Sequence, residues 1–363
     1  MKPSMALLAA ATLRLANVLT VAALTIAAGV AAASGITVTA DGAVHVTELV
    51  VPPSPMLSPR GSAYLIRHLQ QMQRLHSAAA RDGEANGLAR ELARQRVLFP
   101  VRKQSAVIGG VHVFAYTPRE GVSAGNRRRV LINLHGGGFA GCWPVCAELE
   151  SLPIASLGRF RVVSVDYREG PRYHYPAASE DVAAVYRALL KSYRPQDIGI
   201  YGCSAGGLLT AMAVAWFQRH GLPRPGAIGI FCAGGAAPGA RGWSGDSSYV
   251  GMALGEASAV PLLGRPPSGY LAGVDPDDPL LSPVDFPQVL ARFPPTLVVT
   301  GSRDLAMSSA IYMNEQLSEL GVPTELHVWD GMFHGFFYDA DVPESRACYR
   351  MVVRFFERQL GTD

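Results

Sequence analysis

Charge is scarce in this sequence, and where it occurs it nearly cancels. Acidic and basic residues make up 17% of the 363 positions against 49% hydrophobic ones, with a formal balance of +3. Lys2 and Arg14 lie in a stretch expected to be removed, which leaves 30 basic residues against 29 acidic. A chain so balanced carries no nucleic-acid footprint. Its one basic run, Arg127 to Arg129, stands directly before an apolar strand and reads as a solvated strand start. So much apolar side chain excludes extensive disorder and supplies a sizeable core. No internal repeat is present, and the length suits one large α/β domain with insertions.

A strongly apolar run long enough to span a membrane is also missing. The uncharged stretch Leu15 to Ala33 is alanine-rich and only weakly apolar for a spanning helix. The first 33 residues lack any acid, place Lys2 and Arg14 ahead of or within the apolar stretch, and close on Ala31-Ala32-Ala33. That pattern predicts a signal peptide over 1–33, cleaved after Ala33, with export to the periplasm or the medium and no stable membrane insertion of the mature protein; a retained transmembrane anchor is the competing reading. No cysteine stands at the cleavage point, so lipid attachment there is not indicated. Cysteine itself is sparse: Cys142, Cys146, Cys203, Cys232 and Cys348 are an odd set, leaving at least one unpaired within the chain. Cys142 and Cys146 are close enough to pair if their loop allows. Cys203 and Cys232, at apolar strand ends, read as buried free thiols.

Residues 34–59 read as an extended linker ending in the proline-rich VPPSPMLSP, which cannot be helical. Residues 60–96 turn helical, with an apolar stripe of Tyr64, Leu65, Leu69, Met72 and Leu75 and a second helix near Leu88 to Arg96, and fit a cap segment. Apolar strands are predicted at VLFPV (97–101), VHVFAYTP, RVLINLHG and FRVVSVDY, the last after a helix around 147–158. Strands of this kind alternating with helices predict a mostly parallel sheet covered on both faces.

The most informative stretch is 198–217, IGIYGCSAGGLLTAMAVAWF. Ile198, Ile200 and Tyr201 have core-strand character, while Leu208, Leu209, Met212, Ala213 and Trp216 recur at helical spacing. The period switches at Ser204. A side chain on so tight a strand-to-helix turn needs minimal neighbours, and Gly202 and Gly206 supply them. The following helix aims its free N–H groups at whatever oxyanion forms there. Upstream, His135-Gly136-Gly137-Gly138-Phe139 closes a strand with three glycines, each entropically costly to order. Their bare N–H groups can converge on one point, and one such donor in a dry site stabilises an acyl-transfer oxyanion by roughly 2.7–4 kcal/mol. Gly137 and Gly138, with Ala205 from the turn, are the candidate oxyanion donors. His135 reads as a brace for the loop.

HGGGF at 135–139, DYR at 166–168, YPAASED at 175–181, GCSAGG at 202–207 and FHGF at 333–336 resemble the hormone-sensitive-lipase-like esterases of the α/β-hydrolase superfamily. The resemblance runs from about residue 60 to 360. It implies an α/β-hydrolase fold with a helical cap, an oxyanion hole on the HGGG glycines, a nucleophile at Ser204, and an acid and a histidine later in the chain. Two departures bear on substrate range: Cys203 replaces the acid usual at that elbow position, and DYREGPRYHYPAA replaces the commoner DYRLAPEHPFPAA.

A serine hydroxyl needs a base, and the base an acid that fixes its tautomer. Of the histidines after Ser204, His220 ends the elbow helix, His327 lies within the strand TELHVW, and His334 sits in a glycine-flanked loop just beyond it. His334 is the candidate base. Asp304, at the end of TLVVTGSRD, is the candidate acid, and Asp330 and Asp339 are rivals that read as turn or solvent residues. A long Gly-, Pro- and Ser-rich insertion at 236–290 reads as a second cap segment with a short helix near 247–255. Trp243, Tyr249, Met252, Leu262 and Tyr270 are available there to line a pocket. The hydrolase domain thus covers 60–363. The expected activity is carboxylic-ester hydrolysis on a small-molecule ester through an acyl-enzyme, with no metal or cofactor required. A lactone hydrolase would use the same residues, and a non-catalytic binding module on this scaffold is the alternative of another class. Oligomeric state is left open.

Overall fold

The computed structural model describes residues 35–46, 49–76, 81–255 and 268–361. The expected leader, 1–33, and Leu262 of the second cap segment lie outside the described residues. The chain divides into two units, 1–52 and 53–363. In the first, strands β1 (Ile36–Val38) and β2 (Val44–Val46) pair antiparallel with Thr37 opposite His45, so part of the expected linker is a small hairpin. Gly42, at φ +87°, and the Thr39 N–H to Ala43 carbonyl bond of 2.9 Å close its turn.

The second unit opens with helix α1 (Pro59–His76), followed by α2 (Arg81–Leu98). Proline at the first helical position lacks only an N–H that would be unpaired anyway, and the Ser58 hydroxyl caps the turn by accepting the Gly61 N–H at 3.0 Å. Ser58 in turn donates its N–H and hydroxyl to Glu344, at 2.6 and 2.8 Å.

The sheet has eight strands: β3 (Val101–Ile108), β4 (Val111–Pro118), β5 (Val130–Leu134), β6 (Arg161–Val165), β7 (Ile198–Cys203), β8 (Ala227–Phe231), β9 (Thr296–Gly301) and β10 (Thr324–Trp329). Their spatial order is β10-β9-β8-β7-β5-β6-β4-β3. From β6 to β10 the neighbours run parallel, while β4 pairs antiparallel with both β3 and β6. The expectation for VLFPV is corrected: Val97 and Leu98 end α2, and the strand starts at Val101. That strand is the sheet's edge, and its Arg102, Lys103, Gln104 and Ser105 are exposed, so it has no apolar run to reveal it.

Helices α3 (Val145–Gly158), α4 (Ala177–Leu189), α5 (Ala205–Arg219), α8 (Met307–Glu319) and α9 (Pro343–Gln359) cover the sheet, with short helices α6 (Asp246–Ala253) and α7 (Pro287–Leu290) in the long insertion. Two cores result. On one face α4, α5 and α8 pack against Ile132, Ile200 and Ile230. On the other, α3 and α9 pack against Leu131, Tyr201 and Phe231. Strands β5, β7, β8 and β9 are buried along their whole length, which explains their unbroken apolar sequences. Their C-terminal ends deliver the loops that bear Gly136, Ser204, Cys232 and Asp304. No helix of the described residues is long and apolar enough to cross a membrane.

Candidate active site

Ser204 joins β7 to α5 with φ 57° and ψ −122°, a conformation that a residue with a side chain adopts only when its surroundings impose it. They impose it here by contact. A Cβ on Gly206 would lie 1.8 Å from the Leu134 carbonyl oxygen, and one on Gly202 2.2 Å from the same atom and 2.5 Å from Gly206. The glycines therefore let the turn close against the end of β5 as well as against itself. The Ser204 N–H donates to the Phe231 carbonyl at 2.8 Å, and its own carbonyl accepts the Leu208 N–H at 3.0 Å, fixing both limbs.

The glycine loop after β5 follows the same logic. Gly137 and Gly138 have φ of +122° and +65°; a Cβ on Gly137 would meet the Gly141 carbonyl at 1.9 Å, whereas one on Gly138 would meet nothing within 4 Å. Gly138 thus borders open space beside Ser204. His135 is fully buried and donates its Nδ1–H to the Gly136 carbonyl at 2.7 Å, with its ring stacked on Tyr167 at 4.4 Å. Burial pulls its imidazole down to about 4 against that hydrogen bond, so it is neutral at pH 7 and serves as the expected brace. Cys142 and Cys146 form a disulfide that ties the far side of the loop to the start of α3. Cys203, Cys232 and Cys348 are free and buried.

Asp304 lies three residues beyond β9 and is 1% exposed. Its Oδ1 accepts the His334 Nδ1–H at 2.8 Å and the Ala306 N–H at 2.9 Å, and its Oδ2 accepts the Thr300 hydroxyl at 2.9 Å. Burial pushes this carboxyl up, but the His334 charge and these hydrogen bonds outweigh it and hold the group below the usual carboxylate value. With Nδ1–H donated to Asp304, Nε2 is the nitrogen whose lone pair can take a proton. The histidine loop is seated by Gly301, whose Cβ would strike the Met332 carbonyl at 2.2 Å, and by the Gly335 N–H, which donates to Cys232 Sγ at 3.3 Å. Burial drives the Cys232 thiol well above its ordinary value, so it is neutral.

Ser204, Gly138 and His334 line two cavities together. One, of about 660 Å³, reaches toward Tyr64, Arg67, His68 and Glu91 of the two N-terminal helices. The other, of about 340 Å³, is lined by Phe139, Leu208, Trp243, Tyr270 and Leu271. Both expected cap segments therefore contribute. Tyr270 stacks on Phe139 at 4.9 Å and Trp243 borders the same cavity, whereas Tyr249 is 52% exposed and does not line it.

The remaining candidates lie elsewhere. His220 donates its Nδ1–H to the Trp216 carbonyl at the end of α5, and His327 faces Glu325 on the edge strand β10. Asp330 accepts hydrogen bonds from the Ser54 and Ser302 hydroxyls at the surface. Asp339 is not a solvent residue: it is 6% exposed, accepts the Asp341 N–H at 3.0 Å and pairs with Arg67 at 2.9 Å. The reading also missed Glu150, a fully buried carboxylate behind the glycine loop. It shares its helix with a second acid, Glu148, so the sequence does not single it out.

The profile of the α/β-hydrolase fold family matches residues 131–338. An acetyl-hydrolase of Streptomyces hygroscopicus is 29% identical over 64% of this chain and 77% of its own length. An esterase of Acinetobacter venetianus is 26% identical over 62% of this chain and 74% of its own. Among solved structures, that of esterase E25 superposes with a TM-score of 0.71 at 26% identity, covering 87% of this chain and 98% of that one. An esterase of the bacterial hormone-sensitive lipase family superposes with a TM-score of 0.68 at 26% identity, over 83% and 99% of the two chains.

Proposed function

The chain belongs to the α/β-hydrolase fold family and is a serine carboxylic-ester hydrolase, and from that premise we propose that Ser204, His334 and Asp304 carry the reaction as nucleophile, base and orienting acid. The observation that carries this reading is the Asp304–His334 pair at 2.8 Å, whose imidazole borders the same cavities as the strained Ser204. The ester lies across Ser204, one arm in the apolar 340 Å³ cavity and the other in the larger, more polar one.

As Ser204 Oγ bonds to the ester carbonyl carbon, its proton passes to His334 Nε2 and the carbonyl oxygen becomes an oxyanion. The N–H groups of Gly137, Gly138 and Ala205 receive that charge, the last at the positive end of α5. Asp304 keeps His334 in the tautomer with Nδ1 protonated and stabilises the imidazolium. Collapse expels the alcohol, which takes the proton from His334 and leaves Ser204 acylated. Water then attacks the acyl-enzyme with His334 again as base, releasing the carboxylic acid.

The test is covalent. A fluorophosphonate should label Ser204 of the folded protein, and Ser204→Ala should abolish labelling and lower ester turnover by about 10⁶-fold at an unchanged melting temperature. A Ser204→Ala variant that is still labelled, or still turns over at the original rate, would place the nucleophile elsewhere. A wild-type protein that neither labels nor hydrolyses any member of an ester and lactone panel would point to a binding module instead.

A further inference from the structure

Three loops of the site meet at one side chain that takes no part in the chemistry above. Glu150 stands on α3, 4% exposed. Its Oε1 accepts the Gly136 N–H at 2.9 Å and the Tyr338 hydroxyl at 3.0 Å, and its Oε2 accepts the Asn133 amide at 2.9 Å. The Cys203 backbone lies close enough to favour the ionised form of this carboxyl. Gly136 precedes the two candidate oxyanion glycines, Cys203 precedes Ser204, and Tyr338 lies four residues beyond His334. A Cβ on Gly136 would lie 3.1 Å from the Cys203 carbonyl, 3.5 Å from Glu150 Oε1 and 3.5 Å from Ser204 Cβ, so the glycine loop packs closely against both the elbow and the carboxyl.

We propose that Glu150 is a positioning residue for the ester hydrolysis, one carboxylate that holds the glycine loop, the nucleophile turn and the histidine loop in register from behind. The inference rests on the reading of Ser204 and His334 as the reacting pair. Its physical basis is that a helix side chain is a firmer anchor than another loop, and that α3 is itself joined to the glycine loop through the Cys142–Cys146 disulfide. The loop is thus held at both ends by one helix.

The charge state of the anchor follows from what faces it. From β5 comes the Asn133 amide and from β7 Tyr201, whose hydroxyl donates to the Glu150 backbone carbonyl at 3.1 Å. Tyr167 of the strand-end loop after β6, Cys203 of the turn and Tyr338 of the histidine loop complete the surroundings. Burial keeps Tyr201, Tyr167 and Tyr338 neutral. On its own helix, Glu148 is already engaged by Arg96 and Lys103, at 2.8 and 2.7 Å. No cation among these neighbours compensates Glu150. Burial therefore pushes its carboxyl up to about 7, against the donors that favour the ion. Oε1 already accepts two hydrogens and Oε2 one, so a proton added to the carboxyl weakens it as an acceptor and loosens the clamp.

Glu150→Gln, Glu150→Asp and Tyr338→Phe test this on the full chain, with ester turnover against pH, fluorophosphonate labelling and circular dichroism measured on each. Glu150→Gln turns a donor toward donors and should fold, label slowly and lose about 10²-fold in kcat, the scale of a small misplacement of reacting groups, with KM within about twofold. Its kcat–pH profile should lack the ionisation near 7 expected of Glu150 in the wild type. Glu150→Asp, which keeps the charge but shortens the reach, should recover part of kcat. Tyr338→Phe should lower kcat less and add nothing to Glu150→Gln, because the two share one contact. A folded Glu150→Gln with wild-type kcat, or with an altered KM alone, or with an unchanged pH profile, overturns the proposal. If Glu150→Gln does not fold, Tyr338→Phe decides, and an unchanged kcat there overturns it. Failure of the wild-type protein to label at Ser204 would instead sink the reading of the site on which the proposal stands.

Discussion

Asp304 and Glu150 are both carboxyls sealed from water behind the C-terminal edge of the sheet, and they are driven in opposite directions. Asp304 accepts from a histidine that can carry charge, from a backbone N–H and from a hydroxyl, and it is held below the usual carboxylate value. Glu150 accepts from an amide, a phenol and a backbone N–H with no cation beside it, and it is raised to about 7. Burial acts alike on the two, so the imidazole is what separates them. The difference suits the roles proposed for them. A carboxylate that must stabilise an imidazolium has to be charged throughout the cycle, whereas one that only gathers donors can sit close to its own titration.

Breaking the charged member should have the largest effect. Asp304→Asn preserves shape and removes the charge: Oδ1 faces both His334 Nδ1 and the Ala306 N–H, so an amide with its NH2 on that side keeps only the Thr300 bond and favours the wrong tautomer, and the opposite orientation leaves the imidazolium without a counter-charge. Turnover should fall by about 10⁴-fold with the fold retained, measured as kcat beside a thermal melt. A folded Asp304→Asn that keeps its activity would remove this aspartate from the mechanism.

The second effect reads the same contrast in stability. Glu150 is raised in the folded state from an ordinary value of 4.5 to about 7, so the folded protein binds that proton more tightly than the unfolded chain does. Its contribution is fully present below 4.5 and is lost as pH rises to about 7, a change of roughly 3 kcal/mol for one buried group. Asp304 has the opposite sign: its contribution is present above its ordinary value of 3.8 and is lost as pH falls through its lowered one. Urea midpoints of wild type and Glu150→Gln at pH 5 and pH 8 isolate the first term. The variant should lose less stability on going to pH 8 than the wild type does, and parallel losses would mean that Glu150 does not titrate in that window.

The two acids also differ in how far the sequence revealed them. Asp304 follows an apolar strand and precedes the histidine, and the turn at Ser204 needs glycines for a steric reason that any reader of 198–207 can reconstruct. The glycine loop is legible on the same ground, since a Cβ at 137, 202 or 206 would collide with backbone. The buried strands announce themselves by uninterrupted apolar runs. Glu150 has no such marker. One of its donors is 14 residues away and another 188, and nothing local to VCAELESL says that a loop folds over it. The edge strand Val101–Ile108 was missed because half-solvated backbone tolerates Arg, Lys, Gln and Ser, while the apolar VLF ahead of it serves the end of α2 and a buried Phe99. Asp339 makes the expected turn contact with the Asp341 N–H, but its burial was not legible for the same cause as Glu150, its partner Arg67 lying 272 residues away.

Asp339 therefore offers the finest test of the comparison, being a buried carboxylate with a cationic partner that is nevertheless outside the reacting pair. Arg67 is 46% exposed, so water screens the ion pair, and its loss should cost no more than about 1 kcal/mol. Asp339→Asn keeps an oxygen for the Asp341 N–H but turns its NH2 toward the guanidinium, so the ion pair is lost. Arg67 borders the larger cavity, so a small change in KM is expected, with kcat within about threefold of wild type and a melting point lowered by a few degrees. Asp330→Asn, exposed and bonded only to serine hydroxyls, should change neither quantity measurably. Side by side with Asp304→Asn, the three variants ask whether a carboxylate matters here because it is buried, because it is paired, or because its partner is His334. A loss of kcat at Asp339→Asn comparable to that at Asp304→Asn would show that burial with any cation suffices, and the distinct role assigned to the Asp304–His334 pair would fall.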